Sequence, residues 1–155
     1  TRALMVLNVA VYAIGLCLPQ NWMMSSRMAP TYFCMFPKVI WSFPTQIFRI
    51  WTSAFVHGGL MHIGFNMLNF VRSGNNLERG LGTMRYLNLI FTFVTVLGFL
   101  YFGLAIAGML FFRYPQWFNE CAVGFSGVIF ALITVDSLAV LPSPSISPSS
   151  PSLDF

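Results

Sequence analysis

The sequence has 155 residues, of which 57% are hydrophobic, 17% aromatic and only 8% charged, with a formal net charge of +4. Soluble domains carry about 25% charged residues, so this inventory cannot cover a water-exposed globule, and the mean hydropathy of +0.74 agrees. The eight Lys and Arg residues form no basic run, which excludes a nucleic-acid surface and leaves them as membrane-flanking anchors.

Backbone polar groups in lipid must be satisfied within the chain, so the apolar segments are predicted as helices of an all-α, polytopic transmembrane bundle. The first runs over 4–19, close to the minimum for a span of roughly 20 residues. It follows Thr1 rather than a methionine, so the sequence is expected to be a fragment or an incomplete gene model. No small-residue cleavage site follows this segment, and it is not read as a signal peptide. Residues 20–51 carry Pro30, Pro37 and Pro44 with many aromatics, including Tyr32, Trp41 and Phe43. Aromatic rings favour the headgroup zone, so a membrane-associated loop is predicted there.

The second helix is predicted over 52–71, followed by a short polar link, 72–85, punctuated by Gly74, Gly80 and Gly82. The third, 86–112, exceeds the span requirement and implies tilt or protrusion. The fourth, 121–141, completes a helical domain over 1–141. The Pro/Ser tail 142–155 has too little apolar surface to fold and is predicted to be disordered. Counting basic residues on the two sides gives a tie in orientation; their density in the 72–85 link leans towards a cytoplasmic N-terminus. Cys17, Cys34 and Cys121 are too few and too scattered for a disulfide framework or a zinc site. Two of them lie in or beside apolar segments, where cysteine behaves as a small hydrophobe.

Two stretches break the apolar pattern. In the second helix His62, Asn66, Asn69 and Ser73 recur at i, i+4, i+7 and i+11, which lines them along one face. Such a face belongs in a bundle interior or a wet cavity. It serves either as hydrogen-bonding glue between helices or as part of a reactive site. His57 lies at the segment's entry and is expected to turn away from His62. Two histidines five apart with no nearby Cys, Asp or Glu make a poor metal site.

The second stretch is CAVGFSGVIFAL, residues 121–132. Ser126 is a helix N-cap, a packing residue or a nucleophile. Gly124 and Gly127 leave room for another backbone to approach. A helix that starts at Ser126 and ends near Leu141 spans about 24 Å, less than a hydrocarbon core of about 30 Å. Its N-terminus then lies below the membrane surface, with free N–H groups and a positive dipole end suited to an oxyanion. A continuous helix from Cys121 removes that geometry. The soluble nucleophile elbow, Gly-x-Ser-x-Gly, is not present.

Together, His57-x-x-x-x-His62-x-x-x-Asn66 and Gly124-Phe-Ser126-Gly127 resemble the rhomboid intramembrane serine proteases (peptidase family S54). Leu77-Glu78-Arg79-Gly80-Leu81-Gly82 is similar to the family's Glu-x-x-x-Gly turn, and CAVGFSGVIFAL to its endoplasmic-reticulum branch, the rhomboid domain-containing proteins. The resemblance covers roughly residues 49–134. It implies four of the usual six helices, Ser126 as nucleophile, and His62, Asn66 and the Ser126 backbone N–H as oxyanion donors. Gly124, Gly127 and His57 would support them. The loop 20–51 corresponds to the family's membrane-embedded first loop, with its Trp-Arg element altered to Phe48-Arg49. The family's base is a histidine on a sixth helix, whereas both histidines here precede Ser126. A serine without a base is a poor nucleophile, so this polypeptide alone is expected to have no protease activity. The alternative is a non-catalytic rhomboid-like protein that binds transmembrane clients in quality control. The implied partners are transmembrane substrates or clients and the lipid bilayer, with no cofactor. A channel or transporter would need more intramembrane charge.

Overall fold

The computed structural model describes residues 1–17 and 32–139. The predicted tail 142–155, the ends of the first and fourth predicted helices, and the early part of the predicted membrane-associated loop lie outside these residues. The described chain is all-α. Four long helices, α1 (Arg2–Cys17), α4 (Leu60–Leu81), α5 (Thr83–Phe111) and α7 (Ser126–Ala139), are joined by short helices α2 (Pro37–Ser42), α3 (Arg49–Thr52) and α6 (Gln116–Asn119).

α5 has 29 residues and is, among the described residues, the one helix long and apolar enough to cross a membrane. Only 17% of its apolar window is buried, so it is no core helix of a water-soluble domain. Leu68 on α4, Phe91 and Phe99 on α5 and Phe130 on α7 likewise point outward, a surface that suits acyl chains. α4 falls short on composition because His62, Asn66, Asn69, Arg72, Asn75 and Asn76 interrupt its apolar residues.

The observed boundaries differ from the predicted ones in two places. The predicted 52–71 helix is broken: α3 and a 3-10 turn (Ser53–Phe55) precede α4, which starts only after Gly58-Gly59 and continues to Leu81. The supposed link is thus mostly helix, with Ser73, Gly74 and Leu77 buried and Arg72, Asn76 and Arg79 outside. Gly82, at φ 78°, is the actual stop, a conformation open to glycine at little cost. At the other break, the predicted 121–141 helix begins at Ser126, and the residues before it are extended.

α7 packs on both α4 and α5, α1 on α4, and α3 on α5. The interior is apolar and aromatic, with Phe70, Tyr86, Phe125 and Leu132 fully buried. α3 crosses α5 so closely that a Cβ at Gly98 would sit 2.6 Å from Ile50 Cγ2. Trp51 Nε1 donates to Thr95 Oγ1 across the same contact at 3.0 Å.

Candidate active site

The extended segment ahead of Ser126 is held by neighbours rather than by helical bonds. Met35 and Ala122 form an antiparallel bridge, each N–H donating to the other's carbonyl at 2.9 Å. Cys34 and Cys121 are joined in a disulfide, which corrects the expectation that the three cysteines are too few and too scattered for disulfide pairing. Gly124 N–H donates to the Ser53 carbonyl at 3.0 Å. Arg49, buried, donates from Nη1 to the Cys34 carbonyl at 3.2 Å and from Nε to Gln46 Oε1 at 2.9 Å. Desolvation lowers the pKa of its guanidinium, and Tyr32 opposes that shift.

Phe125 fixes the next position. Its ring is fully buried, 5.1 Å from Phe70 in an edge-to-face pair and 5.8 Å from Phe55. Ser126 follows as the first residue of α7, half-buried. It borders a cavity of about 260 Å³ shared with Ser53, Gly124 and Gly127. The first N–H groups of a helix lack intrahelical acceptors, so the start of α7 offers donors and a positive dipole end beside the hydroxyl.

Gly124 brings this segment to α4. Its φ is +118°, and a Cβ there would lie 2.8 Å from His62 Cε1 and Nε2 and 3.7 Å from Asn66 Nδ2. His62 and Asn66 therefore face the backbone two residues before Ser126. Asn66 is buried, and its Nδ2 has no hydrogen-bond partner among the described residues. His62 Nδ1 accepts the Gly58 N–H at 3.4 Å, which leaves the proton of a neutral ring on Nε2, the nitrogen facing Gly124.

His57 does not turn away from His62 as expected. Their rings meet edge-on, with centroids 5.3 Å apart, because His57 precedes the Gly58-Gly59 break and lies outside the helix. Its Nδ1 donates to the Phe55 carbonyl at 3.3 Å, and its buried Nε2 has no partner among the described residues. The polar stripe also divides. Ser73 is buried with Asn66, while Asn69 is exposed and donates to the Phe65 carbonyl of its own helix at 2.8 Å, so it needs no partner from another element. Gly127 has open approach, with Leu97 Cδ1 at an ordinary 3.5 Å from a would-be Cβ. Among the described residues no group of three or more His, Cys, Asp or Glu could hold a metal ion.

The rhomboid domain model matches residues 44–146, which enclose all of these groups except Tyr32, Cys34 and Met35. Rhomboid-like protein 15 of Arabidopsis thaliana is 38% identical over 116 residues, covering 73% of this chain and 28% of that protein. Human Rhomboid-related protein 4 is 39% identical over 84 residues, covering 54% of this chain and 27% of that protein. Rhomboid-type serine protease 2 of Emericella nidulans is 33% identical over 98 residues, 63% of this chain and 17% of that protein. The chain thus spans less than a third of the length of these relatives. No solved structure matches. With the domain match covering well over half of the chain, this all-α membrane protein belongs to the rhomboid family.

Proposed function

We propose that the Ser126 site is the nucleophile-and-oxyanion half of a serine-type endopeptidase that cleaves transmembrane protein substrates within the membrane. The observation that carries this reading is the cradle at Gly124. There the His62 Nε2 edge and the unpartnered Asn66 Nδ2 converge on backbone two residues from the serine. A buried amide donor without an acceptor is costly. A binding module gains nothing from it, whereas an oxyanion that forms only during reaction gives it a partner.

In the proposed reaction Ser126 Oγ attacks a substrate peptide carbonyl and its proton passes to a base. The carbonyl oxygen, now negative, takes hydrogen bonds from His62 Nε2–H, Asn66 Nδ2–H and the Ser126 backbone N–H. Collapse breaks the C–N bond as the base returns the proton to the leaving amine, and water then releases the acyl group. His62 is committed to the oxyanion, and neither histidine of the sequence is left as base. The resemblance implies a histidine on a sixth helix, and this polypeptide alone is expected to be inactive. The helices' outward apolar faces support a substrate arriving through lipid. Placement in the endoplasmic reticulum rests on the likeness of CAVGFSGVIFAL to that branch of the family.

A hydrophobic peptidyl boronic acid tests this half of the site without the base, because boron supplies its own electrophilicity. Tetrahedral boron seen by ¹¹B NMR in the wild-type chain and absent from Ser126→Ala is the expected result. Trigonal boron alone, at every concentration, would sink the nucleophile assignment and leave the non-catalytic client binder as the better reading.

A further inference from the structure

We propose that Cys34–Cys121 is a thiol-responsive clamp on the serine-bearing segment, and that the Ser126 end of the bundle faces an oxidising compartment. The disulfide joins residues 87 apart in sequence and ties the loop before α2 to the extended stretch before α7. That stretch has no helical bonds of its own, yet it must hold Gly124 at φ +118° against His62. Its restraints come from outside: the disulfide at Cys121, the bridge at Ala122 and the Ser53 carbonyl at Gly124. The Cys34 side is fixed in turn, with Arg49 on the Cys34 carbonyl and Thr52 Oγ1 donating to the Phe33 carbonyl at 3.0 Å. The clamp therefore links a rigid anchor to a segment with little rigidity of its own. Cys121 is only half-buried and follows exposed Asn119 and Glu120, so a small thiol reaches it from the surface.

Disulfides persist in oxidising compartments and are rare where glutathione and thioredoxin keep thiols reduced. Reduction by a dithiol balances simply. The S–S bond breaks, Cys34 and Cys121 each take up one electron and one proton, and the reductant's two thiols close into its own disulfide. The freed segment then keeps only its backbone bonds, and the Gly124–His62 register loosens.

The effect on Ser126 rests on the serine-protease reading above; the clamp itself does not. The experiment uses the chain carrying Cys17→Ser, which removes the exposed free thiol. Maleimide–polyethylene glycol added to native membranes is expected to modify neither remaining cysteine before dithiothreitol and both after it. In the purified protein, amide exchange over 121–125 is expected to speed up at least tenfold on reduction and to recover on reoxidation. Peptidyl boronate affinity should fall at least tenfold in step. Cys34→Ser/Cys121→Ser should stay in the loosened state whatever the redox conditions. Two free thiols in native membranes would overturn the proposal, as would equal exchange in both redox states. Redox-dependent exchange with no boronate binding in either state upholds the clamp and rejects the protease reading.

Discussion

Replacing Gly124 with alanine tests the geometry on which the candidate site depends. A methyl group there would meet His62 Cε1 and Nε2 at 2.8 Å. The ring must retreat by about 0.7 Å to reach ordinary carbon contact at about 3.5 Å. The backbone adds to this, because φ +118° is unfavourable for any residue with a Cβ, at about 1–3 kcal/mol. Relief of either strain moves the chain just ahead of Ser126. The expected loss is about 2–4 kcal/mol of stability. The expected loss in boronate affinity is about 10- to 100-fold, as one charge-assisted hydrogen bond is worth about 1.5–3 kcal/mol. Denaturation in detergent micelles gives the first quantity and ¹¹B titration the second, with Gly103→Ala as the control. Nothing lies within 4 Å of a Cβ at Gly103 on α5, so that change should be neutral or stabilising by up to about 1 kcal/mol. A Gly124→Ala protein as stable as the control, with unchanged affinity, refutes the close approach of Gly124 to His62.

The remaining expectations separate structure from chemistry. Asn66→Leu removes a buried amide whose Nδ2 has no partner among the described residues. Stability should hold or rise, while boronate affinity falls about 10- to 100-fold for the lost charge-assisted donor; a large loss of stability with affinity intact would show a packing role instead. Phe125→Ala empties the space between Phe55 and Phe70 and should cost about 3–5 kcal/mol, with faster amide exchange at the start of α7; unchanged exchange there would contradict the anchor. Gly98→Ala forces a methyl to 2.6 Å from Ile50 Cγ2 and 3.1 Å from its carbonyl oxygen. It should destabilise by about 1–3 kcal/mol, measured against the same Gly103→Ala control, and a neutral result would mean that α3 is free to slide on α5.

The helical class of the molecule was legible because it follows from a whole-chain property, the scarcity of charge. The pairing of His62 with Asn66 was legible too, since both sit on one helix four residues apart and periodicity acts within an element. Local composition misled where tertiary packing prevailed. The polar residues after Val71 looked like a link, but Ser73, Gly74 and Leu77 are buried while α4 continues. The contact between His57 and His62 was hidden by treating 52–71 as unbroken, although Gly58-Gly59 marked the break. The Cys34–Cys121 bond and the Met35–Ala122 bridge lay beyond sequence reasoning altogether. Nothing local to residue 34 encodes a partner 87 positions away, and only the fold brings them together. Phe125 carried a faint signal as the one bulky residue between small ones, but its clasp between two rings appears only in three dimensions.

The distances in sequence among these groups bear on how the protein is made. Ser53, His62 and Asn66 leave the ribosome early, whereas Cys121 to Ser126 emerge only after the whole of α5 has been synthesised. Until that late stretch is inserted, Cys34 has no bonding mate, Asn66 faces no backbone and the hydroxyl does not exist. The order of translation therefore leaves the Cys121–Ser126 segment to dock last, onto a frame of α1, α4 and α5 already in place.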